Sequence, residues 1–157
     1  MEPKLGITAA HLESVAHILN PVLADEFLLY VKTRRAHWNV TGRDFHPKHI
    51  FFESQYKQLD EIVDDLAERI RALGHFPPST LKSMLELSHF TEAPGEGTDG
   101  LQLVEELLND HQSLIISLRE IINVTADKYK DMGTSDFLTG LLRTHEQMAW
   151  MLRAHLQ

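Results

Sequence analysis

The sequence predicts an all-α protein, a four-helix bundle with one long crossover. Three observations lead there. Apolar residues recur every three or four positions through four long stretches. Capping residues and chain breakers fall at the edges of these stretches. The connections between them are unequal, two short and one long.

The first helix is expected from about Thr8 to Trp38. Thr8 is a plausible N-cap, and Leu12, Val15, Ile18, Leu19, Val22, Leu23 and Phe27 keep helical spacing. Pro21 is expected to kink this segment, or to start a second helix with Asn20 as its cap. A loop follows over residues 39–43, containing Gly42. The second helix starts near Asp44 to Pro47, where proline fits the first turn, and ends at Gly74, a good C′ residue ahead of Pro77 and Pro78. Its apolar stripe is Phe52, Leu59, Val63, Leu66, Ile70 and Leu73.

Residues 75–98, which also hold Pro94, form a long connection. The patch Leu81, Met84, Leu85 and Leu87 predicts a short helix inside it. The third bundle helix spans about Asp99 to Lys130, with Leu101, Val104, Leu108, His111, Ile115, Leu118 and Ile122 stepping through it. Gly133 breaks the chain, and Thr134 or Ser135 caps a fourth helix to about His155. Leu138, Leu141, Leu142, His145, Met148, Ala149 and Leu152 share one face of it. His111 and His145 sit inside apolar stripes and are read as hydrogen-bonded core histidines, not ligands. Short connections make the first and second helices antiparallel, and likewise the third and fourth. The long connection, about 24 residues, can run back along the bundle and leave the second and third helices parallel. One long crossover is the ferritin-like arrangement. The whole chain, 1–157, reads as a single domain with a short N-terminal tail over residues 1–7.

The composition narrows the function. At 157 residues, 43% hydrophobic and 24% charged, the chain has enough length for one domain with a real core. It has no cysteine, which excludes disulfides, iron–sulfur clusters and thiolate zinc sites. No signal-like apolar run opens it and no stretch reaches transmembrane length, so a cytoplasmic location and no membrane partner are expected. A net charge of −8 argues against electrostatic binding of nucleic acid.

Five metal-type side chains carry the chemistry: His37, His49, Glu53, Asp64 and Glu68. His49/Glu53 and Asp64/Glu68 are each spaced i,i+4, so each pair shares a face of the second helix. On one unbroken helix, however, His49 and Asp64 stand about 22 Å apart, and no single metal centre spans that. If two copies of the helix pack antiparallel about a two-fold axis, the first pair of one chain faces the second pair of the other. The midpoint falls near Gln58 and Leu59, and crossing there generates two equivalent sites per dimer. A solvated polar face is the plainer reading of the same residues on an isolated helix. Carboxylates and imidazoles without thiolate suit iron, manganese or zinc more than copper(I).

The segment KTRRAHWNVTGRDFHPKHIFFE, followed by DEIVDDLAERIRALG, resembles the signature of the Dps family, the miniferritins. TSDFLTGLLRTHEQMAWMLRAHL resembles that family's last helix, and the likeness covers about Thr8 to Leu156. The resemblance implies a hollow shell of twelve identical subunits and an iron-oxidising site at each dimer two-fold. Its ligands fall on His37, His49 and Glu53 from one subunit and Asp64 and Glu68 from its neighbour. Glu53 stands where many members have aspartate. The resemblance also places Trp38 close to the iron, packing the site or donating an electron; by itself Trp38 reads as a core residue at the bundle end. It implies acidic pores at the three-folds, matched by Asp136 and secondarily by Asp131. As acidic residues at a helix start, both are equally explained by the helix dipole.

The expected function is a ferroxidase that stores iron: iron(II) is oxidised, by hydrogen peroxide in preference to oxygen, and iron(III) is mineralised in the shell. This combines storage with protection from oxidative stress. The alternative is a nucleoid protein that compacts DNA. Residues 1–10 contain only Lys4 as a basic side chain, opposed by Glu2, and a shell of twelve would carry roughly −96 before bound ions, so DNA binding is expected to be weak or absent. An ordinary ferritin needs two Glu-x-x-His motifs; the match here is Glu86 to His89, in the long connection.

Overall fold

The computed structural model describes residues 3–92 and 97–157; Met1 and Glu2 of the expected tail and Pro94 of the crossover lie outside the described residues. Five helices appear in order: α1 (Ala9–Asn39), α2 (Phe45–Ala72), α3 (Leu81–Leu87), α4 (Gly100–Asp127) and α5 (Met132–Ala154).

Thr8 caps α1, its hydroxyl accepting from the His11 amide at 3.3 Å. The helix then runs through Pro21 without a second start. A mid-helix proline costs roughly 3 kcal/mol. Val15, Leu19, Val22 and Leu23 flank it and are all buried in one core; each contributes about 1.5–3 kcal/mol, so continuity wins. The end of α2 is a paired C-terminal turn. Gly74 takes φ +91°, its N–H donates to the Arg71 carbonyl at 2.9 Å, and the His75 N–H donates to Ile70 at 3.2 Å. A Cβ on Gly74 would lie 2.8 Å from the ring of Pro3, so the N-terminal tail packs onto this turn.

Three local expectations are corrected. Asp131, not Thr134 or Ser135, caps α5, its carboxylate accepting from the Thr134 N–H at 2.9 Å. Leu101 faces solvent, while Leu103, Leu107 and Leu114 join the core. In α3 only Met84 is fully buried; Leu81 and Leu85 face outward. The cap of α3 is a Thr80/Ser83 box, with the Ser83 N–H donating to the Thr80 hydroxyl at 3.1 Å.

Cross-helix contacts fix the directions. The Thr41 N–H donates to the Thr98 carbonyl at 3.1 Å, so the starts of α2 and α4 share one end of the bundle. There a Cβ on Gly100 would fall 2.5 Å from the Lys48 side chain. At the other end Arg69, near the close of α2, meets Asp131 at 3.2 Å, just past α4. Helices α2 and α4 therefore run parallel. Phe51 packs against His155 with ring centroids 4.5 Å apart and planes tilted by 52°, which sets α5 antiparallel to α2. Lys32 on α1 pairs with Asp110 at 2.5 Å and Glu106 at 3.4 Å on α4, which binds the two pairs of helices together. This is the topology expected from the connection lengths. Among the described residues, no helix is long and apolar enough to cross a membrane.

The centre of the bundle holds a polar chain. Glu26 (α1), His145 (α5) and His111 (α4) are all fully buried. His145 Nε2 stands 2.8 Å from Glu26 Oε1, and the Nδ1 atoms of the two rings are 2.9 Å apart. One ring must donate there and the other accept. Burial, reinforced by His145, holds the His111 imidazole well below the usual histidine value, so that ring is neutral. Both histidines are thus the core residues the sequence suggested; their carboxylate partner was not foreseen.

His111 stays neutral when folded but titrates near its ordinary 6.5 when unfolded. The unfolded chain therefore takes up the proton first. Stability should be full above that pH and decline as pH falls below it. Denaturation of the assembled protein at pH 7.5 and 5.5 should show this decline, and His111→Gln should make it shallower.

Candidate metal centre

Two of the five sequence-predicted ligands meet at the junction of α1 and α2. His37 lies in the last turn of α1 and His49 in the second turn of α2. The short loop at Gly42 (φ +109°) reverses the chain and stacks their rings, with centroids 3.7 Å apart. Each ring also closes on the other's backbone: His37 Nδ1 is 2.8 Å from the His49 carbonyl oxygen, and His49 Nδ1 is 2.8 Å from the His37 carbonyl oxygen. A carbonyl only accepts, so both Nδ1 atoms must carry hydrogen. In the neutral rings both Nε2 atoms then keep lone pairs, the state a metal ligand needs.

Glu53 follows one turn after His49 on α2 and is half-buried. Lys57, one further turn on, holds its Oε1 at 2.6 Å. That ammonium, more than the weaker influence of His37 and His49, lowers the Glu53 carboxyl below the ordinary glutamate value. Asp64 and Glu68 lie exposed farther along the same helix. Among the described residues, no group of three or more His, Asp or Glu side chains converges to hold a metal ion within one chain. The two histidines come together, Glu53 stands beside them, and Asp64 and Glu68 remain apart.

Aromatic side chains border the pair. The Tyr56 ring meets His37 edge-on, with centroids 5.2 Å apart. Arg34 lies over Tyr56, Trp38 and Tyr30 at 4.6, 5.2 and 5.5 Å from their centroids. Trp38 is 63% exposed in the protomer, not a core residue at the bundle end. Tyr56 and Arg34 were not singled out from sequence; Tyr56 is three residues after Glu53 on the same side of α2, which was the available signal.

The two pore candidates separate. Asp131 is 2% exposed, caps α5, and accepts from Arg69 at 3.2 Å and from the Thr134 hydroxyl at 2.5 Å. Its carboxylate is committed to the fold, which leaves it unavailable to line a pore. Asp136 is exposed and borders a surface cavity of ≈ 310 Å³ with Asp65 and Arg143.

A bundle with this crossover, and a histidine–carboxylate set on its second helix, defines a ferritin-like protein, and residues 16–157 match the ferritin-like domain family. The chain is 39% identical over 153 residues to a low temperature-induced protein of Nostoc sp., covering 98% of this chain and 86% of that one. It is 36% identical over 145 residues to DNA protection during starvation protein 2 of Bacillus anthracis, covering 92% and 97% of the two chains. The crystal structure of the Dps protein of Vibrio cholerae O1, described as a member of the ferritin-like diiron-carboxylate superfamily, superposes with a TM-score of 0.92 at 30% identity, covering 100% and 98%. The chain belongs to the Dps family.

Nitrogen-15 NMR of histidine-labelled protein near pH 7.5 should find both His37 and His49 protonated at Nδ1 and bare at Nε2. Nε2-protonated rings would remove the reciprocal bonds and, with them, the ligand assignment.

Proposed function

We propose that the protein is a ferroxidase that stores iron. The observation carrying this reading is the reciprocal His37–His49 closure, which presents two unprotonated Nε2 atoms beside the Glu53 carboxylate. The set is completed across a two-fold axis by Asp64 and Glu68 of a second copy, whose exposure in the protomer suits that role. Membership of the Dps family supports the same arrangement. The assembly is then a shell of twelve subunits built from two-fold dimers, located in the cytoplasm.

Iron(II) is substrate and cargo here. It is drawn toward an acidic surface, with Asp136 as the pore residue, and binds between imidazole nitrogen and carboxylate oxygen. Two iron(II) ions give one electron each to one hydrogen peroxide; with two protons, the products are two iron(III) ions and two waters. This stoichiometry releases no hydroxyl radical. Carboxylates then favour the harder iron(III) product. Zinc or manganese competes for the same nitrogen and oxygen donors. Trp38 packs beside the site and is a candidate to supply an electron to a strong oxidant.

Rapid mixing of anaerobically iron-loaded protein with peroxide or oxygen tests this directly. His37→Ala, and Asp64→Ala with Glu68→Ala, should slow oxidation roughly tenfold or more while light scattering shows the shell intact. Wild-type rates in these variants would sink the site assignment.

DNA compaction remains the second reading, favoured by the name of the Bacillus anthracis relative. The described part of the tail, with Lys4, packs toward Gly74 instead of extending from the body. At −8 per chain the surface repels phosphate. A low-salt gel shift without divalent metal should show no tight complex; a nanomolar one would reverse the preference.

A further inference from the structure

The spacing that pairs the candidate ligands also defines a third pair between them. His49 with Glu68, and Glu53 with Asp64, are symmetric about the midpoint between Gln58 and Leu59; so is Lys57 with Asp60. At about 100° per residue, all six positions fall in one sector roughly 100° wide on α2. Any antiparallel pairing that brings Glu53 to Asp64 of the partner subunit therefore brings Lys57 to Asp60 of the partner subunit.

Among the described residues of the protomer, Lys57 pairs with one carboxylate, and Asp60 forms no direct ion pair but feels the charge of Arg34. Lys57 Nζ sits 2.6 Å from Glu53 Oε1, on an oxygen that the metal reading requires. Asp60 is exposed and forms no salt bridge among the described residues. An ammonium and a metal ion compete for the same carboxylate lone pairs. Iron must therefore displace Lys57 or find it already engaged elsewhere.

We propose that Lys57 links assembly to metal binding: it occupies Glu53 in the free protomer and transfers to Asp60 of the partner subunit when two α2 helices pair. Pairing then opens the Glu53 carboxylate at the moment Asp64 and Glu68 arrive. An unassembled chain keeps this ligand closed, which limits iron oxidation outside the shell. The inference rests on the two-fold pairing described under Proposed function.

A double-mutant cycle on the size-checked assembly tests it, with anaerobic iron(II) binding followed by calorimetry. Lys57→Gln should leave binding near the wild-type value, because pairing has already drawn the ammonium off Glu53. Asp60→Asn should weaken binding about twofold to fivefold, the range expected for an exposed ion pair, by returning Lys57 to Glu53. In the Lys57→Gln background, Asp60→Asn should have little effect, because no ammonium remains to return. Lys57→Arg, which keeps the cation, should resemble wild type. A simple field effect would instead leave the Asp60→Asn loss unchanged in both backgrounds, which overturns the proposal. So does the absence of any effect from Asp60→Asn, provided His37→Ala still abolishes binding. If His37→Ala binds normally, the underlying site fails and this inference fails with it.

Discussion

Everything at the candidate site depends on α2 being one rigid, unbroken helix. Its 28 residues carry four of the five candidate ligands, and its rise keeps the two carboxylate-bearing pairs too far apart to share an ion. A break near its middle would let the chain fold the pairs together; an unbroken helix forbids it. The helix is held at both ends by contacts that also orient its neighbours. At one end the α1–α2 loop locks His37 against His49, and Lys48 fills the space left by Gly100. At the other, the Gly74 turn closes the last carbonyls and Arg69 reaches Asp131, the cap of α5, and Thr134 in its first turn. A truncated Asp131 would leave the Arg69 cation unpaired and the α5 N-terminus uncapped together.

The interior is organised differently from the site. Leucine and valine fill most of it, but Glu26, His145 and His111 run across three helices in its middle. Burying such groups is costly unless each meets a partner. Here the carboxylate faces one imidazole and that imidazole faces another, which constrains α1, α4 and α5 to one relative register, while Glu26 Oε2 and His111 Nε2 have no hydrogen-bond partner among the described residues. The Lys32, Arg35, Glu106 and Asp110 cluster adds a second polar tie between α1 and α4. Burial pushes the Asp110 carboxyl up against the opposing pull of Lys32, as expected for a charge held mostly out of water. Both ties steady α1, which carries His37.

The family assignment and the geometry bear on different questions. Similarity along nearly the whole chain establishes the fold and the family. The geometry adds the Nδ1–H orientation of the two histidines and the engagement of Glu53 by Lys57. These local facts turn a ligand motif into a chemical arrangement with a definite donor set.

By itself the sequence determined the order and approximate ends of the helices, apart from the second start that it left open at Pro21, because helical periodicity, Thr8, Asp99, Gly74 and the prolines after it act over a few residues. It also determined the topology, because a connection as long as 75–98 can span a bundle and a tight loop cannot. The five candidate ligands were legible for the same reason: i,i+4 spacing fixes a shared face before any packing. Only the tertiary structure decided that α1 continues through Pro21, since that depends on what the flanking residues bury. It decided that Asp131 is a buried cap, that Glu26 joins the two core histidines, and that His37 and His49 each lock the other's tautomer. Those contacts join residues from different helices or opposite sides of a loop, and their distances are set by packing, which no local pattern encodes.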